Sequence, residues 1–85
     1  MNNPKGDQDD RELEEEVRDL DRRFKKLADE NLLPGPSFSK TVEVHINMLK
    51  GRRAGLISHE VAEARGMILV LEERAAKIRR KLRSE

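Results

Sequence analysis

Apolar residues recur along three stretches of the chain at the three- and four-residue spacings that keep side chains on one face of an α-helix. The first stretch is Leu13, Val17, Leu20, Phe24 and Leu27. Asp9, three residues before Glu12, suits the mouth of a helix, where a carboxylate accepts hydrogen bonds from unpaired amides, so the pattern predicts a helix over 9–31. Residues 1–8 are polar, carry Pro4 and Gly6, and read as a disordered tail. Leu32-Leu33-Pro34-Gly35-Pro36 ends the helix, because Pro34 pushes its predecessor out of helical geometry and Gly35 lies between two prolines.

A second stretch, Phe38, Val42, Ile46 and Leu49, predicts a short helix over 38–50. Val42, Val44, Ile46 and Met48 also alternate, and Thr41, Val42, Val44 and Ile46 are β-branched, so a strand over 40–48 competes with it. The helix is preferred because no other segment could pair with such a strand, a second copy of the chain aside. Gly51-Arg52-Arg53-Ala54-Gly55 reads as a loop between two glycines.

The third stretch is the strongest. Ile57, Val61, Ala64, Ile68, Leu71, Ala75, Ile78 and Leu82 hold the alternation of four and three throughout, which predicts a long helix over 58–83. Ser58 is placed to cap it, with Glu60 in the first turn and the cations from Arg79 to Arg83 in the last, as the helix dipole favours. Only Gly66 interrupts, at a cost of about 1 kcal/mol relative to alanine.

These elements imply an all-α protein with one helical domain over 9–85: a helical hairpin of two long amphipathic helices with a short middle helix, packed like a coiled coil and assembled into an oligomeric helical bundle. The oligomer is inferred from the third helix. Met67, Ile68, Leu69, Val70 and Leu71 are consecutive, so apolar side chains surround the rod at its middle, while one hairpin partner covers only one face. Leu69 also shares a second stripe with Ala62 and Ala76. These five residues are therefore the expected oligomer or partner interface, with a dimer or higher assembly as the product.

Composition sharpens this picture. An 85-residue chain buries a thin core, and with only Phe24 and Phe38 as aromatics the aliphatic stripes carry the packing. There is no cysteine, hence neither a disulfide framework nor a thiolate metal site, and a reducing cytoplasm is the expected compartment. The longest apolar run, Met67 to Leu71, is far short of the roughly 20 residues that span a bilayer, and the first residues lack a signal segment, so no membrane association is expected.

Charged residues make up 41% of the chain at a net charge of +1, yet they are segregated. Residues 7–21 carry Asp7, Asp9, Asp10, Glu12, Glu14, Glu15, Glu16, Asp19 and Asp21 against Arg11 and Arg18; residues 74–83 carry Arg74, Lys77, Arg79, Arg80, Lys81 and Arg83 and no acid. Antiparallel packing of the two long helices brings these ends together, and the charges are read as setting that orientation more than adding stability.

Little in the sequence carries reaction chemistry. His45 and His59 are the only histidines; His59 and Glu63, one turn apart, offer two metal ligands where a catalytic zinc needs three, so no metal or cofactor is expected. Ser58 beside His59 is sequence adjacency without an orienting third group. Gly51 and Gly55 flank Arg52-Arg53 without the strand and Gly-Lys-Ser/Thr of a phosphate loop.

The segment Ser58 to Met67 resembles the first helix and turn of helix-turn-helix DNA-binding motifs, with Val61, Ala62, Gly66 and Met67 at the core, small, turn and core positions. The match ends there: Arg65 stands at a position usually apolar, and Ile68-Leu69-Val70-Leu71 opens what should be a polar recognition helix. A ribbon-helix-helix built on Lys40 to Ile46 fails likewise, because Gly51 and Gly55 truncate the helix it needs.

The expectation is a non-enzymatic protein-protein interaction module, an adaptor, assembly factor or inhibitor acting as a helical homo-oligomer. Its alternative is a small nucleic-acid-binding regulator in which Arg52, Arg53, Arg74, Lys77, Arg79, Arg80, Lys81 and Arg83 contact phosphates.

Overall fold

The computed structural model describes residues 5–52 and 55–84, all of them helix or connecting turn. Three helices follow one another: α1 over Lys5–Asp29, α2 over Pro36–Gly51 and α3 over Ser58–Ser84, each packed against both others. Among the described residues there is no strand, so residues 40–48 lie within α2 and the competing strand reading falls away.

The boundaries depart from the periodic pattern where local chemistry intervenes. α1 begins at Lys5 rather than at Asp9, so residues 5–8 of the expected tail are helical; residues 1–4 lie outside the described residues. At its other end, Asn31 adopts the left-handed conformation (φ 60), its amide donates to the Ala28 carbonyl at 3.0 Å, and the Leu32 amide donates to the Leu27 carbonyl at 2.9 Å. That is a Schellman cap, and the buried Leu27 and Leu32 are the hydrophobic pair that accompanies it.

α2 starts earlier than expected because Pro36 occupies its first turn, where a missing amide and a fixed φ are assets. The preceding Gly35, at φ 64, takes the turn that a side chain would strain. Ser39 is buried, its hydroxyl donating to the Pro34 carbonyl at 3.1 Å. In α3 the Ile57 carbonyl accepts from the amides of Glu60 and Val61, so Ser58 sits inside the first turn instead of capping it. The helix continues unbroken through Gly66.

The core is formed by the three predicted stripes. Val17, Leu20, Phe24 and Leu27 of α1 meet Val42, Ile46 and Leu49 of α2 and Val61, Ala64, Ile68, Leu71 and Ala75 of α3, with Leu32 and Leu56 closing it from the turns. Leu13, Leu33, Phe38, Met67 and Ile78 pack at its edge.

Helix direction overturns the hairpin expectation. Three side-chain pairs join α1 and the turn just after it to α3, Glu16 with Arg65, Arg23 with Glu72, and Glu30 with Arg79, and each spans 49 residues of sequence. A constant separation means that α1 and α3 run parallel. α2 supplies the reversal: its start meets late α3, where Arg74 lies 5.2 Å from the centre of the Phe38 ring, and its end meets early α3, where Arg52 donates to Glu60. At about 1.5 Å per residue, α2 is about 24 Å long and packs lengthwise, so the chain turns back twice.

Candidate functional site

The apolar belt expected to form an interface is divided by the fold. Ile68 and Leu71 are fully buried in the chain's own core and offer nothing to a partner. Leu69, 52% exposed, lies between Arg65 and Glu72, whose side chains both reach α1, and so belongs to the α1 flank of α3. Met67 is one heptad from Glu60 and from Arg74, which both meet α2; it is half-buried on the opposite flank, with Val70 next to it toward solvent. No single flat surface takes all five residues.

Periodicity did not point to α2, yet Val44 is 55% exposed and Met48 44%, one turn apart on the face directed away from the core residues Val42, Ile46 and Leu49. The alternation of Val42, Val44, Ile46 and Met48 was the signal: in a helix, four such residues cannot share one face, so two were bound to emerge. Ile57 and Leu82, 51% and 64% exposed, mark the ends of the α3 stripe, where the neighbouring helices no longer cover it.

The cations separate into two ends. Arg52 pairs with Glu60 at the start of α3, and Arg53 lies outside the described residues. Arg74, Lys77, Arg79, Arg80, Lys81 and Arg83 lie at the other end, so the two patches are not continuous. Arg79 is paired with Glu30 at 2.7 Å, and Arg74 is held over the Phe38 ring. Lys77, Arg80, Lys81 and Arg83 are exposed and enter no ion pair among the described residues. Because α1 and α3 are parallel, the acidic stretch of α1 lies at the far end and does not neutralise them.

Glu16, Asp19 and Asp21 hold their protons weakly. The hydrogen bonds from Arg65 keep the Glu16 carboxyl below its usual range, and those from Arg22 and then Arg23 do the same for Asp19. At Asp21 partial burial pushes upward, but Lys25 and Lys50, each at 3.1 Å, together prevail and lower it. Arg23, clamped by Glu72 at 2.6 and 2.8 Å, is held more firmly protonated. Carboxyls lowered in the folded state bind fewer protons than in the unfolded chain, so the stability they contribute is complete above the ordinary carboxylate range and is lost as pH falls through their folded values. Thermal melts followed by circular dichroism should therefore be flat from about pH 7 to pH 5 and decline below about pH 4. Glu16→Gln should make that decline shallower.

His59 Nε2 lies 3.5 Å from Glu63 in an exposed pair, and among the described residues no group of three or more His, Cys, Asp or Glu side chains could hold a metal ion. Half-buried His45 places Nε2 3.5 Å from the Glu60 carbonyl. A groove of about 350 Å³ between α1 and the end of α2 has Val17, Leu49 and Leu56 for a floor and Glu14, Arg18 and Lys50 on its rim; it holds no nucleophile beside a base. No described helix is long and apolar enough to cross a membrane.

Comparison with protein-family models, with curated proteins and with solved structures found no match. The functional reading therefore rests on this geometry.

Proposed function

We propose that this chain is a non-enzymatic protein-protein interaction module, an adaptor, assembly factor or inhibitor, that works as a homodimer of three-helix units in the cytoplasm. The observation that carries the reading is the exposure of Val44 and Met48 together on the outer face of α2. Isolated exposed apolar residues are ordinary, but two large ones a turn apart, on a helix whose core stripe is already filled, form the beginning of a patch. Val70 extends it, since helical geometry leans that residue toward the α2 side of α3. A two-fold axis across this face sets Met48 of one copy against Val44 of the other and gives each α2 a second helix to pack on. The flexible thioether suits such a contact.

The expected oligomer thus moves from the middle of α3 to the outer face of α2. Sedimentation velocity at tens of micromolar checks it: the wild type should sediment as a dimer, and the double variant Val44→Lys, Met48→Lys as a monomer with an unchanged circular dichroism spectrum. A wild type that stays monomeric at that concentration refutes self-pairing.

A further inference from the structure

We infer that the C-terminal end of α3 is a duplex-DNA-binding element that grips phosphates on both sides of the major groove without reading sequence. The proposal is independent of the α2 interface. Parallel packing of α1 and α3 carries it: the simplest use for the basic cluster, neutralising the acidic half of its own chain's α1, is ruled out by the constant separation of 49 residues between partners. The last of these partners is Glu30, just beyond the end of α1, which takes Arg79, so residues 80–84 run past α1 as about 8 Å of helix.

Position around the helix tells what this end can hold. At about 100° per residue, the Ile78 and Leu82 stripe continues the core face, Arg79 stays on the α1 side beside Glu30, and Lys77, Arg80 and Lys81 are turned away from the core. Arg74 and Lys81 lie on one flank, Arg80 and Arg83 on the other, and Lys77 between them. The Phe38 ring under Arg74 anchors the first flank toward α2. Among the described residues of α3, Glu73, one turn before Lys77, is the acid nearest in sequence to these cations.

A helix about 10–12 Å across with cations on both flanks matches a groove about 12 Å wide and walled by phosphates. The deep, narrow major groove of duplex RNA does not admit it. Nothing at this end provides aromatic stacking for unpaired bases, since Phe38 is engaged by Arg74, so the chemistry favours a double strand. Specificity for sequence is not expected, because flexible cations aimed at phosphates position a protein without discriminating bases.

Fluorescence anisotropy with the full chain and two labelled mixed-sequence DNA duplexes tests this. Both should bind equally. Four phosphate contacts, from Lys77, Arg80, Lys81 and Arg83, give a slope of log affinity on log salt of about −3.6, or about a 150-fold loss between about 50 and 200 mM. The triple variant Arg80→Gln, Lys81→Gln, Arg83→Gln should lose more than about tenfold in affinity at low salt and flatten the slope to about −0.9. Its residues are exposed, and an unchanged circular dichroism spectrum certifies the fold. Arg18→Gln, at the far end of the molecule, should leave affinity unchanged. No binding at low salt, binding untouched by the triple variant, or duplex RNA binding as tight as DNA overturns the proposal. So does capture by phosphatidylserine vesicles without capture by DNA, which would reassign the cations to a lipid surface.

Discussion

Truncating Ile68 to alanine lowers the free energy of unfolding by about 2–5 kcal/mol, whereas truncating the adjacent Leu69 costs less than about 1 kcal/mol. Both residues lie in the same apolar run of the sequence, and they differ by one step of helical rotation. Ile68 is fully buried among residues of all three helices, so removing its side chain forfeits transfer free energy and leaves a hole that packed neighbours fill only in part. Leu69 is 52% exposed, and alanine raises helix propensity at its site. The loss at Ile68 is a large share of the stability of a domain this small, for which total values near the low end of about 5–15 kcal/mol are expected. Urea denaturation followed by circular dichroism at helical wavelengths measures both variants. Equal losses at the two positions would mean that Leu69 is buried as deeply as Ile68, contrary to the fold described.

Gly66 separates a continuous third helix from a broken one with two substitutions of opposite sign. Gly66→Pro should cost about 3 kcal/mol or more, because the ring clashes with the preceding turn and removes an amide donor from the middle of α3. Gly66→Ala should add about 0.5–1 kcal/mol, since a Cβ there meets nothing within 4 Å and alanine restricts the unfolded chain. The same urea titrations check the pair. A turn at Gly66, such as a helix-turn-helix requires, reverses the second sign: alanine would then destabilise.

The parallel register had a trace in the sequence that was easy to pass over. Opposite charges recur at a separation of 49 residues in Glu16 and Arg65, Arg23 and Glu72, and Glu30 and Arg79, themselves stepped by seven. The bulk distribution of charge, nine acids early and six cations late, argues the reverse orientation and is misleading for an energetic reason. Exposed ion pairs contribute about 0–1 kcal/mol each, less than the burial of one stripe residue at about 1.5–3 kcal/mol, so packing chooses the topology and individual charges fit themselves to it. Pro36 misleads in a similar way. Beside Pro34 and Gly35 it reads as a breaker, but at a first helical position it starts α2, which lengthens the middle helix into a full return segment.

The candidate binding surfaces were legible in unequal measure. The cations from Arg74 to Arg83 are visible as a run, yet their freedom from the acids of α1 follows only once α1 and α3 are known to be parallel. Val44 and Met48 are visible only as half of an ambiguous alternation, and resolving that segment as helix is what turns them outward.

By itself the sequence determined the two long helices and the residues that bury, and it favoured a helix for the middle segment, because period and turn residues act within a few positions of one another. Only the tertiary structure decided that α3 runs with α1, that Ile68 and Leu71 are consumed within one chain, and that the basic end stands apart from the acidic one. Those outcomes depend on how many times the chain reverses and on contacts 49 residues apart, and a pattern that repeats every three or four residues carries no information about either.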